Sequence, residues 1–325
     1  MTEPTDGTPD DAGSERAQAD SALYAAILAD VDGFVDGFAS PMRSLLVSSL
    51  LPMRERAFVR LMALLPAYLA DLAPVAPETA RRLGLANFYT GWYYHAQDDL
   101  LDGQAAASDW LVGHVVFAQI VETYRTLDLI HTPVWPEFQH LAHRSANAYA
   151  LELRQRVASL DALTPEQLAA FDVEFILSRA APLFFNPLAQ LYLAGIPAHA
   201  ERAQDLLEAL RCWAAARQIG DDASDWLDDL KAGQLNAVSA RLIERWPAGG
   251  ERSLERLATF QLTAEEGWTA IEHTAHTLSQ RALNRLAPYG PSRLHTLVTE
   301  QIAEQSAHWA ALRAQRGAFQ ALFGL

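Results

Sequence analysis

The sequence has little cysteine and little positive charge. Cys212 is its only cysteine, which excludes an intramolecular disulfide, a CxxC zinc site and a redox pair. Its 25 lysines and arginines stand against 40 acidic residues, so the formal net charge is −15. Because no basic stripe is present to neutralise phosphates along a groove, we expect no nucleic-acid partner. The acidic start of the chain lacks the basic segment and apolar core of a secretory signal, and we therefore expect a cytoplasmic protein.

A long membrane-spanning run is also missing. The longest uncharged stretch, residues 180–200, contains three prolines as well as Asn186, Gln190 and His199, and these residues disfavour a membrane span. We therefore predict a pair of buried helices in this stretch and no stable membrane insertion.

Helical spacing of apolar residues dominates the chain from Leu23 onward, and period-two alternation of β-branched residues is absent. This pattern predicts an all-α protein, which the prolines divide into about ten helices. One start signal is strong: Thr164 can cap a helix that begins at Pro165 and runs toward Arg179. Residues 1–20 carry six acids, one arginine and almost no large apolar residue, and we predict that this segment is disordered.

A first acidic cluster, Asp98, Asp99 and Asp102, ends a helical run that begins near Thr79. Asp98 and Asp102 are four residues apart, so on a helix their carboxylates project from the same face and repel each other. The only basic side chain between Arg82 and this cluster is a histidine. A divalent cation such as Mg²⁺ is therefore the natural compensating charge.

A second acidic cluster consists of Asp221, Asp222, Asp225 and Asp229. Three of its carboxylates, those of Asp221, Asp225 and Asp229, recur at every fourth position up one helix face. Either cluster alone is equally well explained as a solvated acidic face. Both clusters follow apolar helical segments, however, and Mg²⁺ binds through a few carboxylates while leaving other positions for phosphate oxygens. With no thiolates or paired histidines to favour softer ions, we predict Mg²⁺, for which Mn²⁺ can substitute.

These residues resemble the motifs of class I isoprenoid synthases. DDLLD (98–102) looks like the first DDxxD motif of trans-prenyl diphosphate synthases and terpene synthases, and QIGDDASD followed by DLKAGQLN (218–236) resembles the second motif and its continuation. SRAAPLF (178–184) resembles their KTAxLF segment, with Arg179 where a diphosphate-contacting lysine stands. The resemblance implies one isoprenoid synthase domain over residues 21–325, a helical bundle around a central apolar cavity. It also implies three Mg²⁺ ions, an allylic prenyl diphosphate of ten to twenty carbons, and a homodimer as one assembly state.

The resemblance assigns roles to individual residues. Asp98, Asp221 and Arg179 are the predicted catalytic residues, and all seven aspartates are predicted metal ligands. Aromatic side chains near the clusters would keep water from a carbocation, although core packing remains open for each of them, and Lys231 can bind the leaving group or pair with an aspartate. The predicted substrate-binding residues are Arg179, Lys231, Tyr94, Phe88, Phe184, Trp213 and Gln218. Four residues near the C-terminus fit a lid or an ordinary amphipathic helix equally well and stay outside the predicted site: His308, Trp309, Arg313 and Arg316.

Two departures from the prenyl synthase pattern bear on the reaction. The chain has no GGKR-like motif, and no arginine pair follows Asp102. Because these residues would hold a second diphosphate, we predict a terpene synthase that ionises one allylic diphosphate and then cyclises it or captures water. Chain elongation with isopentenyl diphosphate is the alternative. Head-to-head condensation usually uses DxxxD-like motifs, and a non-catalytic binding protein would not need so many adjacent carboxylates, so both are disfavoured.

Overall fold

The computed structural model describes residues 9–101, 103, 106–247, 253–263 and 265–323. Within these ranges helices are the only regular secondary structure, which confirms the predicted all-α class. The α-helices are α1 (Pro9–Asp36), α2 (Ser40–Leu50), α3 (Ala57–Tyr68), α4 (Pro77–Leu101), α5 (Ala107–Thr126), α6 (Trp135–Arg154), α7 (Pro165–Ala169), α8 (Val173–Arg179), α9 (Phe185–Leu193), α10 (Glu201–Lys231), α11 (Ala237–Glu244), α12 (Leu254–Thr263), α13 (Glu265–Leu286) and α14 (Arg293–Phe323).

The chain forms two compact units that interleave in sequence. The first contains the described residues up to Trp135 together with Asn186–Gly195, and the second contains Pro136–Phe185 and the described residues from Ile196 onward. The single domain over residues 21–325 and its central cavity stay predictions. The described ranges hold fourteen α-helices instead of about ten, because several short helices restart at local caps.

The predicted disorder of residues 1–20 is wrong from Pro9 onward, where α1 begins. Residues 1–8 lie outside the described ranges. Farther along α1, Tyr24, Ile27 and Val31 are buried. This packed part of the helix supplies the nucleus from which the helix can extend. Extending a formed helix adds one hydrogen bond for each residue ordered, so the polar segment before it can continue the helix.

In the first unit α4 packs against α1, α3 and α5. Residues 83–92 are buried on every side of this helix, and Phe88 and Tyr89 have no exposed surface. From Tyr93 to Asp99 the side chains are only partly buried. The helix therefore runs from an apolar core to the half-buried end that carries the first acidic cluster.

A buried asparagine compensates for a proline inside α3. Pro66 has no N–H to donate to the carbonyl of Met62, four residues earlier. Asn87 Nδ2 on α4 donates to that oxygen at 2.8 Å, and Asn186 Nδ2 on α9 donates to Asn87 Oδ1. Gln190 Nε2 in turn donates to the carbonyl of Pro66 at 2.9 Å. These bonds fix α3, α4 and α9 to one another within the first unit.

The stretch predicted as a pair of buried helices contains one α-helix. Residues 181–184 form a 3₁₀ turn, and α9 follows directly. Residues 183–191 are buried, so the expected burial is confirmed. No helix in the described ranges is long and apolar enough to cross a membrane.

In the second unit α10 is the central helix and contacts α8, α11, α13 and α14. The start signal at Thr164 is confirmed by two reciprocal hydrogen bonds. Thr164 Oγ1 accepts from the N–H of Gln167 at 3.3 Å, and Gln167 Oε1 accepts from the N–H of Thr164 at 2.9 Å. The single helix expected from Pro165 to Arg179 is instead broken into α7 and α8. Asp172 causes the restart, because its carboxylate accepts the N–H of Phe175 at 2.9 Å and caps α8.

Candidate functional site

The first acidic cluster lies on the last turn of α4 in the first unit. Asp98 and Asp99 are both partly buried there, shortly before the helix ends at Leu101. Asp102 lies outside the described residues. Asp98 and Asp99 thus stand at the half-buried end of a helix whose preceding turns are held in the core.

The predicted aromatic pocket residues differ in exposure. Tyr94 is partly buried on α4, one turn before Asp98, and its contact with a substrate stays a prediction. Phe88, Phe184 and Trp213 are buried, with 0%, 9% and 4% of their surface exposed. The structure thus places these three rings in the core of their own units, and their contact with a substrate stays a prediction.

Asp221 and Asp225 form an outward-facing acidic pair on α10. Both side chains are exposed, and Asp221 Oδ2 lies 3.3 Å from Arg217 Nη2. Surrounding protein atoms raise the pKa of Asp221 above its ordinary value, Arg217 opposes this, and the nearby charge of Asp225 raises the pKa further. Two mutually repelling carboxylates one helical turn apart are a suitable ligand pair for a divalent cation.

Asp222, predicted as a metal ligand, instead points into the protein, with 7% of its surface exposed. Gln218 Nε2 donates to its Oδ1 at 2.8 Å, and the N–H of Ala237, the first residue of α11, donates to its Oδ2 at 3.1 Å. Burial raises its pKa to about 6, against the lowering effects of Gln218 and the Arg179 charge. Gln218, predicted to bind substrate, therefore contacts an aspartate in the structure.

Asp229 is held by the segment that follows α10. Asn236 Nδ2 donates to Asp229 Oδ2 at 2.7 Å and to the carbonyl of Asp222 at 3.3 Å. Asn236 also caps α11, because its Oδ1 accepts the N–H of Ser239 at 2.8 Å. The second acidic cluster is thus divided into an exposed pair, Asp221 and Asp225, and an anchored pair, Asp222 and Asp229.

Arg179 ends α8 with a largely buried guanidinium. Its Nε lies 3.5 Å from Glu152 Oε2, and both side chains are mostly buried. The guanidinium also lies over the ring of Tyr149, 5.4 Å from its centroid. Its positive charge acts on Asp222 of the second cluster. A diphosphate contact by Arg179 stays a prediction.

Lys231 lies at the end of α10, where its Nζ is 2.7 Å from Asp228 Oδ1. It is ten residues beyond Asp221, which on a helix places it about 80° around the axis from that residue and far from the face of Asp222 and Asp229. The aspartate-pairing alternative for Lys231 is therefore the one that the structure shows. Leaving-group binding by this lysine stays a prediction.

Two contacts near the clusters were not found from the sequence. On α14, His308 Nε2 lies 3.0 Å from Ser224 Oγ and 3.3 Å from the carbonyl of Gly220, and its charge acts on Asp221. In the first unit, Arg56 Nη1 lies 3.4 Å from Nδ1 of His95, which precedes Asp98 by three residues. The run of arginines around Arg56 is the only sequence signal for the second contact. Sequence spacing carries no signal for the first, which joins residues 84 positions apart.

In the described ranges, no group of three or more histidine, cysteine, aspartate or glutamate side chains is arranged to hold a metal ion. In the second cluster, Asp222 and Asp229 are held by hydrogen bonds to other protein groups, which explains why its carboxylates do not form such a group. A pair of carboxylates still suits Mg²⁺, which usually binds through one or two carboxylates, several waters and substrate phosphates. The donor set of Asp221 and Asp225 therefore fits this ion.

No family model and no curated protein sequence matches the chain. Solved structures do. A polyprenyl synthase from Roseobacter denitrificans is similar with a TM-score of 0.66 and 17% identity, over 92% of this chain and 99% of that one. A geranyltranstransferase from Thermotoga maritima is similar with a TM-score of 0.64 and 13% identity, over 89% of this chain and 99% of that one. A geranylgeranyl pyrophosphate synthase from Lactobacillus brevis is similar with a TM-score of 0.62 and 13% identity, over 86% of this chain and 95% of that one. Likenesses at this level of identity establish a shared fold.

Proposed function

The chain has the class I isoprenoid synthase fold, and on that premise we propose that it is a Mg²⁺-dependent enzyme acting on an allylic prenyl diphosphate. The observation that carries this proposal is the division of the second cluster, in which Asp221 and Asp225 face outward while Asp222 and Asp229 are anchored. A solvated acidic face would leave all four carboxylates in water. An anchored pair beneath an outward pair instead supplies rigid support for metal ligands.

In this proposal each residue of the second cluster has a distinct task. Mg²⁺ held by these residues would neutralise the diphosphate leaving group and so favour ionisation of the carbon–oxygen bond of the allylic substrate. Asp221 and Asp225 would supply ligand oxygens from α10 in the second unit. Asp98 and Asp99, on α4 of the first unit, keep the ligand role predicted from the sequence. Asp222 and Asp229 hold the helix turn in place through their bonds to Ala237 and Asn236. They are therefore proposed as positioning residues instead of the metal ligands expected from the sequence.

The fate of the allylic cation separates two candidate reactions. The similar structures are named as a polyprenyl synthase, a geranyltranstransferase and a geranylgeranyl pyrophosphate synthase, which favours chain elongation, the alternative in the sequence-based prediction. Arg56 adds to this support, because its exposed guanidinium lies beside His95, three residues before Asp98 on α4, and can bind a second diphosphate. We therefore propose prenyl chain elongation as the reaction.

A terpene synthase remains the second candidate. Its supporting observation is the segment after Asp102, GQAAASDW, which contains no arginine. If the second diphosphate does not bind, ionisation is followed by cyclisation or water capture in an apolar pocket. The predicted substrate length of ten to twenty carbons and the three Mg²⁺ ions are common to both candidates.

A product analysis tests the proposal. Protein and Mg²⁺ are incubated with allylic diphosphates of ten, fifteen and twenty carbons, with and without isopentenyl diphosphate. We expect products five carbons longer only when isopentenyl diphosphate is present, and loss of that extension in Arg56→Gln but not in Arg60→Gln, whose guanidinium lies over the Tyr24 ring. Hydrocarbon or alcohol products without extension would select the terpene synthase. No turnover in either condition would refute both.

We also propose a homodimer formed through the end of α4 and the start of α5. Large apolar side chains are exposed there, including Leu100 (62% exposed), Trp110 (64%) and Leu111 (48%). Extended apolar patches on a protein surface usually mark interaction sites. A second copy of the chain offers the same patch, so a two-fold contact would cover both at once.

A further inference from the structure

A cavity of about 520 Å³ lies in the second unit, lined by residues of α10, α12, α13 and α14. Its volume is within the range of small-molecule sites, about 300 to 1,000 Å³. On α10 its lining includes Ala223, Leu227 and Lys231. Helical geometry directs these residues away from the face that carries Asp222 and Asp229. Its lining on α10 also includes Ser224 and Asp228. Asp228 is seven residues beyond Asp221 and lies on nearly the same helix face, so the cavity borders the acidic pair assigned to the metal.

The cavity wall combines aromatic rings with a cation. Trp226 and Trp268 lie edge to face, 6.2 Å apart, and the guanidinium of Arg316 lies over the Trp268 ring at 4.6 Å from its centroid. Phe319 also lines the cavity and is 45% exposed. An apolar body of a ligand can pack against these rings while its charged end meets the guanidinium.

Two residues of the lining each carry a buried polar atom that has no hydrogen-bond partner among the described residues. The atoms are Nη1 of Arg316, a donor, and Oε1 of Gln261, an acceptor. Gln261 is 97% buried, since 3% of its surface is exposed. Buried polar atoms without partners are uncommon and unfavourable, so a bound ligand that supplies the missing partners would be stabilised. Such a ligand needs an anionic acceptor for Arg316 and a hydroxyl donor for Gln261.

The charges around the cavity favour an anion. Lys231 is paired with Asp228, which leaves Arg316 as the positive charge of the lining. Glu272 acts on Arg316 but is paired with Arg313 on α14, and Glu265 is exposed. Burial lowers the pKa of Arg316, as expected for a cation that is removed from water. A ligand anion would compensate the partly buried positive charge of Arg316.

From these observations we propose that the cavity binds a phosphate monoester with an apolar tail. The phosphate oxygens accept from Arg316, the P–OH of the monoanion donates to Gln261, and the tail packs on Trp226 and Trp268. Because α14 also carries His308 onto Gly220 and Ser224 of α10, an occupied cavity is connected to the second acidic cluster by two helices. The proposal does not depend on the reaction assigned above.

Calorimetric titration tests the site. Excess chelator removes divalent cations, so that a phosphate cannot bind through a metal ion at the aspartates. The probe is dodecyl phosphate below its micelle concentration, with dodecanol and inorganic phosphate as partial ligands. We expect one site in the wild type and in Arg281→Gln, a control whose exposed arginine lies on another part of α13 and pairs with Glu208 of α10. Arg316→Gln should weaken binding about tenfold or more, because it removes a charge-assisted hydrogen bond.

A second variant, Ala258→Phe, fills the cavity from α12 and leaves every charge in place. It should also weaken binding, and melting temperatures of all variants establish that they are folded. Unchanged affinity in a folded Arg316→Gln or Ala258→Phe protein would overturn the proposal. So would dodecanol binding as tightly as dodecyl phosphate, since that result would describe an apolar cavity without an anion site. Absence of dodecyl phosphate binding to the wild type would overturn it as well.

Discussion

Replacement of Asp222 by asparagine separates metal binding from structural support. The sequence motif predicts Asp222 as a metal ligand, whereas in the structure both of its oxygens accept hydrogen bonds from Gln218 and Ala237. An asparagine has the same shape. Its oxygen can accept from Ala237, and its amide can donate to Gln218 once the Gln218 amide reverses. We therefore expect Asp222→Asn to fold and to keep Mg²⁺-dependent turnover within about tenfold of the wild type.

The stability of the variant follows from the pKa of the buried carboxyl. Folding raises the pKa of Asp222 from 3.8 to about 6, so the native state holds the proton more tightly than the unfolded state does. The stabilising effect of protonation is fully present below pH 3.8 and is lost as the pH rises through 6. Above that pH the ionised carboxylate destabilises the native state by up to about 3 kcal/mol, at 1.36 kcal/mol per pKa unit. Asparagine does not ionise and avoids this cost.

Urea unfolding in chelator at pH 4 and pH 8 measures the difference. Asp222→Asn should be more stable than the wild type at pH 8 and nearly equal to it at pH 4. Asp222→Ala removes both acceptors, leaves the N–H of Ala237 unpaired, and should lose about 2 to 4 kcal/mol at pH 4. Alanine does not ionise either, so this loss relative to the wild type should be smaller by about 3 kcal/mol at pH 8. Asp225→Asn is the matched control, because it makes the same change at an exposed position of α10 and should lose turnover without losing stability.

Two results would refute this reasoning. If Asp222→Asn loses turnover as completely as Asp225→Asn while it remains folded, then Asp222 binds metal as the motif predicts. If its stability relative to the wild type does not change between pH 4 and pH 8, the buried carboxyl does not titrate as described.

Three further outcomes are expected. Asp98→Ala should lower turnover about a hundredfold or more with an unchanged melting temperature, because electrostatic stabilisation of the leaving group is lost; a near-wild-type rate would contradict its role. Asn87→Leu should lose about 1 to 3 kcal/mol in urea unfolding, because the carbonyl of Met62 loses its donor; adding Pro66→Ala, which supplies an N–H to that carbonyl, should recover part of the loss, and no recovery would argue against this account. Trp110→Glu should convert the proposed dimer to a monomer in sedimentation experiments, and a wild-type monomer would exclude the interface.

The helices and the positions of the acidic residues along them could be predicted from the sequence. Helical periodicity, proline spacing and the capping box at Thr164 are local, since each depends on residues within a few positions of one another. The same holds for the repeat of aspartates along α10. The all-α class and both acidic helices were therefore predictable, whereas the helix from Pro165 to Arg179 was misjudged because Asp172 can cap a helix as well as continue one.

Tertiary structure alone decided which carboxylates turn inward. Asp222 and Asp229 differ from Asp221 and Asp225 because Asn236 and Ala237 return to α10 after the chain leaves it. The pairing of Arg56 with His95, 39 positions apart, and the stacking of Arg316 on Trp268 have the same origin. Hydrogen bonds and ring contacts between distant residues form only after helices have packed, and packing depends on the shapes of whole buried faces. A local pattern of residues does not contain that information.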